Sequence, residues 1–173
     1  MIYWRKILIL LTLLAAVYSA QAVAAKPLAT NFTLRDINGR SYVLSEHRGE
    51  IIILNFWATW CGPCALELPH LNTIAKKYAE NNVSVVVVSI DAARNASRAK
   101  SYIRARNYVF TALHDTDTTV VSQYHPSKTI PFTVIIDQKG AIVYQQVGYS
   151  PGDEQAYICL LYTSDAADDP TLC

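Results

Sequence analysis

The chain has 173 residues, a formal net charge of +1 and 51% hydrophobic residues. This length fits one domain. A net charge so close to zero gives no electrostatic reason to expect nucleic acid as a partner.

The N-terminal segment has the layout of a secretory signal peptide. Arg5 and Lys6 precede an apolar stretch from Ile7 to Val17, and small residues stand at positions 20, 22 and 24. The apolar stretch is shorter than the roughly 20 residues that cross a bilayer. We therefore predict that residues 1–24 are a signal peptide. An uncleaved anchor is the alternative, and it would be the only membrane contact we expect. Either way, we expect a periplasmic or otherwise extracytoplasmic domain, in a compartment where disulfides form.

Residues 26–158 are predicted to form one α/β domain with a central mixed β-sheet flanked by helices. Alternation around Asn38-Gly39 predicts an N-terminal β-hairpin. The apolar runs IIILNF (51–56) and VSVVVVSI (83–90) predict strands buried on both faces. The helical spacing between them predicts a crossover helix, kinked at Pro69, and hence a parallel pair of strands. The remaining predicted elements are a helix at 96–106, a short edge element at 109–115, a short helix at 118–124, and a hairpin of strands at 131–137 and 141–148.

The last residues, CLLYTSDAADDPTLC (159–173), show no apolar periodicity, and they begin shortly after a final helix starts at Asp153. The stretch CLLYTSDAAD matches the translation of a transposon-type sequencing adapter. We therefore predict that residues 159–173 are a foreign tail on a truncated gene, with a genuine polar tail as the alternative. The C-terminal helix is then expected to be truncated. Only Cys61 and Cys64 would remain as native cysteines.

The stretch FWATWCGPC (56–64) holds these two cysteines. A strand that enters a helix here places Cys61 at the helix start and Cys64 one turn deeper on nearly the same face. Unpaired backbone N–H groups at a helix start stabilise a thiolate, which lowers the pKa of the first thiol from about 8.5. We therefore predict that Cys61 attacks a disulfide and that the more buried Cys64 resolves the product. Gly62 permits the tight turn, and Pro63 suits the first helical turn.

Two other kinds of site compete with a redox pair. A zinc site usually needs two further Cys or His ligands at suitable spacing, and the histidines are scattered along the chain. A purely structural disulfide that closes so small a loop adds little stability. A redox pair is therefore the preferred prediction, and no metal is expected.

FWATWCGPC resembles the active site of the thioredoxin superfamily. Longer stretches resemble the exported TlpA/ResA-like thiol–disulfide reductases in particular. These are NFTLRDINGRSYVLSEHRGE ahead of the core, WATWCGPCALELP around the cysteines, and IPFTVIIDQKGAIV near the end. The resemblance covers roughly residues 27–155 and implies a thioredoxin fold with an N-terminal hairpin extension.

The resemblance also implies roles for residues away from the cysteines. Pro131 matches the cis-proline that faces the redox pair. A cis bond would turn the Ile130 backbone outward to pair with an extended substrate. Trp60 is expected to shape the apolar platform around Cys61. With the Gly-Pro pair between the cysteines, these residues form the expected substrate-binding set.

Of the polar residues near the cysteines, some can act as a general base and others cannot. Cytoplasmic thioredoxins have a buried aspartate six residues before the first cysteine, where this chain has Asn55, and an amide cannot act as a base. Glu67 matches the acidic residue of the TlpA-like subgroup. If Glu67 is partly buried, its pKa would be raised and it could shuttle the proton of Cys64. The alternative is that Glu67 is an ordinary glutamate on the surface of the helix. Trp57 fits either the core or the platform, and Asp91 is interpreted as the cap of a strand end.

Together these features predict an exported protein-disulfide reductase that uses a CGPC dithiol and no cofactor. By analogy with the subgroup, the client would be an exported protein with a disulfide, such as an apocytochrome c, and a membrane thiol transporter would supply electrons. Thiol oxidase or isomerase activity is one alternative, because sequence gives no redox potential. A non-enzymatic thioredoxin-like copper-binding module is another, although such proteins typically pair C-x3-C with a distant histidine.

Overall fold

The computed structural model describes residues 26–165, so the predicted signal peptide and residues 166–173 lie outside the described part. No helix in the described part is long and apolar enough to span a bilayer. Short 3-10 turns cover Leu44–His47 and Ala93–Asn95. The strands and α-helices are, in chain order, β1 (Thr33–Asp36), β2 (Ser41–Val43), β3 (Ile51–Trp57), α1 (Gly62–Lys77), β4 (Val83–Ser89), α2 (Ala96–Ala105), β5 (Thr111–His114), α3 (Thr119–Tyr124), β6 (Phe132–Ile136), β7 (Ile142–Val147) and α4 (Glu154–Asp165).

These strands form one mixed sheet in the order β2-β1-β5-β4-β3-β6-β7. The three central strands β5, β4 and β3 run parallel, and every other neighbouring pair is antiparallel. The predicted parallel pairing of the two apolar runs is confirmed, with Ile51 opposite Val83 and Trp57 opposite Ser89. The predicted N-terminal hairpin and the hairpin of the last two strands are confirmed as well.

The core lies on both faces of the central strands because these strands are continuous apolar runs. Every residue of β3 and β6 is buried, and β4 is buried except at Ser84. The helix α1 covers part of the sheet with Leu68, Leu71 and Ile74, and burial of each such side chain contributes roughly 1.5–3 kcal/mol. As predicted, Pro69 does not abolish this helix, which continues to its end at Lys77.

The strand β5 is not the edge element that the sequence predicted. It pairs with β4 on one side and with β1 on the other, where Asp36 lies opposite Leu113. The prediction was wrong because the N-terminal hairpin adds to this side of the sheet. Local sequence does not reveal such a long-range pairing.

The C-terminal helix continues past position 158, where the sequence analysis expected the native helix to be cut short. The helix α4 runs through position 159, and it buries Tyr157 and Leu161, which are 0% and 5% exposed. These two residues are four positions apart and therefore share one helix face. The helix packs against α1, so the residues after 158 contribute to the fold whatever their origin. That origin, and with it the predicted domain boundary at 158, stays a prediction.

Candidate active site

Cys61 and Cys64 form a disulfide where β3 leads into α1, with an S–S distance of 2.04 Å. Cys61 caps the N-terminus of this helix, and its Sγ accepts a hydrogen bond from the backbone N–H of Cys64 at 3.2 Å. Cys61 is 7% exposed and Cys64 is 0% exposed. The predicted placement of the two sulfurs is therefore confirmed, and the outer one is the sulfur that a client can approach.

The first turn of α1 explains how the chain favours a thiolate at this point. Pro63 occupies the first turn, where its missing N–H costs no hydrogen bond. This turn contains no acidic residue, so no carboxylate there opposes the partial positive charge at the helix start. Both Gly62 and Pro63 are exposed, and a methyl group added at Gly62 would meet no atom within 4 Å. The surface beside the disulfide is therefore open.

A buried carboxylate anchors the segment that leads to Cys61. Asp91, which is 0% exposed, accepts hydrogen bonds from the backbone N–H of Thr59 at 2.9 Å and from the Thr59 hydroxyl at 2.8 Å. The hydroxyl of Ser89 donates to the same carboxylate at 2.9 Å. Asp91 thus caps the end of β4, as the sequence predicted, and it also fixes the position of the loop before the disulfide.

The two tryptophans of this segment occupy different environments. Trp57 is 2% exposed and packs on Tyr102, with 5.2 Å between ring centroids. Trp60 is 65% exposed and directly precedes Cys61. Trp57 is therefore a core residue, and Trp60 is the one that offers an apolar surface beside the sulfur.

The peptide bond between Ile130 and Pro131 is cis, as the resemblance implied. Pro131 is buried and Ile130 is partly buried. The bond directly precedes β6, where Phe132 pairs with Phe56 near the end of β3. Because β3 and β6 are antiparallel, the start of β6 lies at the same end of the sheet as the segment that carries the cysteines. The fold thus brings the predicted substrate-binding residues to one end of the sheet.

Glu67 is not a surface residue, since its side chain is 0% exposed inside α1. Its Oε1 accepts hydrogen bonds from the hydroxyls of Thr133 at 2.8 Å and Tyr157 at 2.9 Å. Its Oε2 accepts one from the amide of Asn55 at 3.0 Å, and this amide also donates to Thr133 Oγ1 at 2.9 Å. The buried carboxyl therefore has three donors, which suits its ionised form.

Burial raises the pKa of Glu67 above its usual value because a charge in the protein interior loses hydration. The hydrogen bonds from Thr133, Tyr157 and Asn55 oppose this shift, and the nearby negative charge of Asp153 adds to it. A buried carboxyl with a raised pKa can take up and release a proton at moderate pH. Glu67 follows Cys64 by three positions on α1, which places both on nearly the same helix face.

Two members of this cluster, Thr133 and Tyr157, were not predicted from the sequence. Thr133 could have been found as the polar residue within the apolar strand FTVII. Tyr157 carried no such signal, because its neighbour in space, Glu67, is 90 positions away along the chain.

No group of three or more His, Cys, Asp or Glu side chains in residues 26–165 is placed to hold a metal ion.

Comparison with known proteins agrees with this chemistry. The AhpC/TSA family model matches residues 26–145. The thiol-disulfide oxidoreductase ResA of Bacillus anthracis is 30% identical over 120 residues, which cover 69% of this chain and 68% of the relative.

Solved structures show the same relationship. A putative thiol:disulfide interchange protein DsbE from Chlorobium tepidum is 28% identical, with a TM-score of 0.74 over 83% of this chain and 99% of that chain. The pneumococcal exposed lipoprotein thioredoxin from Streptococcus pneumoniae strain TIGR4 is 25% identical, with a TM-score of 0.65 over 78% of this chain and 99% of that chain. The predicted thioredoxin-like fold is thereby confirmed. The chain belongs to the AhpC/TSA family, and it is a thiol–disulfide oxidoreductase of the ResA/DsbE type whose redox-active pair is Cys61 and Cys64.

Proposed function

We propose that the protein works in the reducing direction on disulfides of exported client proteins, with an apocytochrome c as the client that the subgroup resemblance favours. The observation that carries this proposal is a buried carboxyl, Glu67, about one helical turn after the resolving cysteine. A reductase must remove the proton of Cys64 in every turnover, and Glu67 is a carboxyl with a raised pKa on the same helix.

The reaction begins with both cysteines reduced. The Cys61 thiolate attacks one sulfur of the client disulfide, a Cys61–client S–S bond forms, and the other client sulfur leaves as a thiolate. Cys64 then gives up its proton, attacks the Cys61 sulfur and releases the second client thiolate. The client gains two electrons, and the Cys61–Cys64 disulfide is the oxidised product.

Glu67 is proposed to take the proton of Cys64 in the second step. Asn55 stands where cytoplasmic thioredoxins carry an acid, and its amide has no proton-accepting role. It instead donates to Glu67 Oε2. In this proposal the base lies on the helix α1, at Glu67, and not on the strand β3. The residue at the strand position, Asn55, donates a hydrogen bond to this base.

The client is proposed to bind as an extended segment across the open end of the sheet. The exposed ring of Trp60 and the open surface at Gly62 and Pro63 flank the reactive sulfur. The Ile130 backbone, next to the cis bond, would pair with the backbone of the client in the manner of an added strand.

An extracytoplasmic location is proposed for the same reasons. The N-terminal segment resembles a signal peptide, and one structural relative is described as an exposed lipoprotein. A membrane thiol transporter would then return two electrons to the Cys61–Cys64 disulfide after each turnover, because cytosolic reductants do not reach this compartment.

A cysteine trap tests the client class. The Cys64→Ser variant keeps the attacking sulfur but cannot resolve the mixed disulfide, so we expect it to hold a client covalently on Cys61. Mass spectrometry would identify the client. The matched control is the Cys61→Ser variant, which should trap nothing. A trap that holds no protein with a disulfide-forming cysteine pair would refute the proposed client class.

A redox titration tests the direction. Equilibration of the pair with glutathione or dithiothreitol buffers gives its potential, which is about −270 mV for thioredoxin and about −120 mV for a strong oxidant. We expect a value near the reducing end. A value near the oxidising end would show that the pair oxidises thiols instead.

A further inference from the structure

The C-terminal helix reaches the proposed proton acceptor through one side chain. Tyr157 lies on α4, is 0% exposed, and donates a hydrogen bond to Glu67 Oε1 at 2.9 Å. Its ring packs edge-on against Tyr144 of β7, with 5.9 Å between ring centroids. This packing fixes the ring, so the direction in which the hydroxyl points is fixed as well.

Tyr157 differs from the other two donors to Glu67 in its origin. Asn55 and Thr133 lie directly opposite each other on β3 and β6, and they hydrogen-bond to each other at 2.9 Å. The sheet therefore sets both of their positions. Among the hydrogen bonds to Glu67 in the described residues, that of Tyr157 is the one that depends on how a helix docks on the sheet.

The charges around Glu67 make this donor important. Asp153, which precedes α4, raises the pKa of Glu67 through its negative charge. The negative charge of Glu67 in turn helps to raise the pKa of Tyr149. The largest influences on the pKa of Glu67 are burial, the hydrogen bonds from Thr133, Tyr157 and Asn55, and the charge of Asp153, and none of these comes from a cation. Hydrogen-bond donors are therefore the main groups that offset the cost of burying the charge.

We propose that Tyr157 is a positioning residue for the proton transfer from Cys64: its hydroxyl orients Glu67 Oε1 and holds the carboxyl in the ionised form that accepts a proton. This inference deepens the proposed function and rests on it. The docking of α4 then controls how readily the resolving cysteine is activated, although this helix lies outside the cysteine segment.

Tyr157 cannot itself be the base. Burial raises the pKa of its phenol far above the usual value, and the charge of Glu67 raises it further. The phenol therefore stays protonated and remains a donor, while Glu67 is the group that changes its protonation state.

The test uses Tyr157→Phe, which keeps the ring and removes only the hydroxyl. Loss of a hydrogen bond to a charged group shifts the pKa of that group by about one unit. We therefore expect the acid limb of the pH profile for the resolving step to move up by about one pH unit. The rate should fall by up to about tenfold on that limb, as a one-unit shift of a single ionisation requires, and stay unchanged at high pH. Tyr144→Phe is the matched control, because its hydroxyl donates to Gln146 and not to Glu67.

A second readout separates this inference from the proposed role of Glu67. The carboxyl carbon of Glu67 can be titrated by 13C NMR in the wild type and in Tyr157→Phe, and we expect a higher midpoint in the variant. An unchanged midpoint would overturn the inference. In a Glu67→Gln background, Tyr157→Phe should produce no further shift of the rate profile, and an equal shift there would also overturn it. A Glu67→Gln variant that keeps the acid limb would instead refute Glu67 as the proton acceptor, while the NMR midpoints still decide the effect of Tyr157.

Discussion

Asp91 accepts two hydrogen bonds from Thr59, one from its backbone N–H and one from its hydroxyl. The end of β4 thereby holds the segment that places Cys61 at the start of α1. A buried carboxylate is used here as a structural anchor, and no proton transfer needs to be assigned to it.

The first prediction concerns this anchor. Replacement of Asp91 by Ala leaves the buried hydroxyl of Ser89 and the partly buried N–H of Thr59 without their acceptor, and an unsatisfied buried group costs about 1–3 kcal/mol. We expect the free energy of unfolding in urea to fall by about that amount, and the alkylation rate of reduced Cys61 to change because the loop is no longer fixed. Asp91→Asn keeps one carbonyl acceptor and should cost less. An Ala variant as stable as the wild type would contradict the anchor role.

The second prediction concerns the pH dependence of stability through Glu67. Its pKa is higher in the folded protein than the value of 4.5 expected in the unfolded chain, mainly because of burial. A raised pKa contributes stability at low pH that is lost as the pH rises from 4.5 through the folded-state pKa. Glu67→Gln removes this loss. Its free energy of unfolding relative to the wild type should therefore increase across that window, as measured by urea denaturation at several pH values. A constant difference would refute the raised pKa.

The third prediction concerns His114, whose Nδ1 is buried without a hydrogen-bond partner. Burial lowers its pKa below 6.5, and Asp91 opposes this effect. A lowered pKa contributes stability above the unfolded value that is lost as the pH falls through the folded-state pKa. The variant His114→Gln should lose less stability than the wild type when the pH falls from about 7.5 to 5, below the ordinary histidine pKa near 6.5. Equal losses in both proteins would contradict the prediction.

The fourth prediction separates client binding from folding at Trp60. Because this ring is 65% exposed, Trp60→Ala should change the free energy of unfolding by no more than about 0.5 kcal/mol. The KM for reduction of a protein disulfide should rise, since the ring is proposed to contact the client. The core residue Trp57 provides the comparison, because Trp57→Ala should cost about 3–5 kcal/mol of stability. A Trp60→Ala variant with an unchanged KM would remove this ring from the client surface.

The fifth prediction concerns the helix that continues past position 158. Leu161 is buried, so Leu161→Ala should reduce the free energy of unfolding by about 2–4 kcal/mol. Its neighbour Leu160 is only partly buried, and Leu160→Ala should cost less. A null effect at Leu161 would show that the residues after 158 do not contribute to the fold. Resequencing of the source DNA across codon 158 would test their predicted foreign origin separately.

The sequence predicted the parts of this structure that depend on local pattern. The apolar runs predicted β3 and β4, and the pair Asn38-Gly39 predicted the first hairpin. The segment WCGPC (60–64) placed the redox pair at a helix start. Each of these features needs only neighbouring residues, because burial on two faces, a tight turn and a helix cap all leave a mark within a few positions.

The parts that the sequence did not predict depend on contacts between distant residues. Whether β5 is an edge strand depends on the pairing of a hairpin more than 70 positions earlier, for example of Arg35 with His114. The donors Thr133 and Tyr157 around Glu67 come from β6 and α4, which only the folded chain brings together. The continuation of α4 past position 158 was not predicted, because Leu161 fits the buried face of the helix although the stretch around it has no apolar periodicity.

The pairing of β1 with β5 also determines which strand forms the exposed edge on that side of the sheet. It leaves β2 as the outermost strand on that side, and β2 has three residues, whereas β3 and β4 have seven each. A long unpaired margin of a sheet recruits strands from other chains and starts aggregation, while a short one offers few backbone groups for such recruitment. The protein is proposed to fold after it crosses a membrane, among other partly folded chains. There, the N-terminal hairpin would reduce the pairing of this sheet edge with strands of other chains.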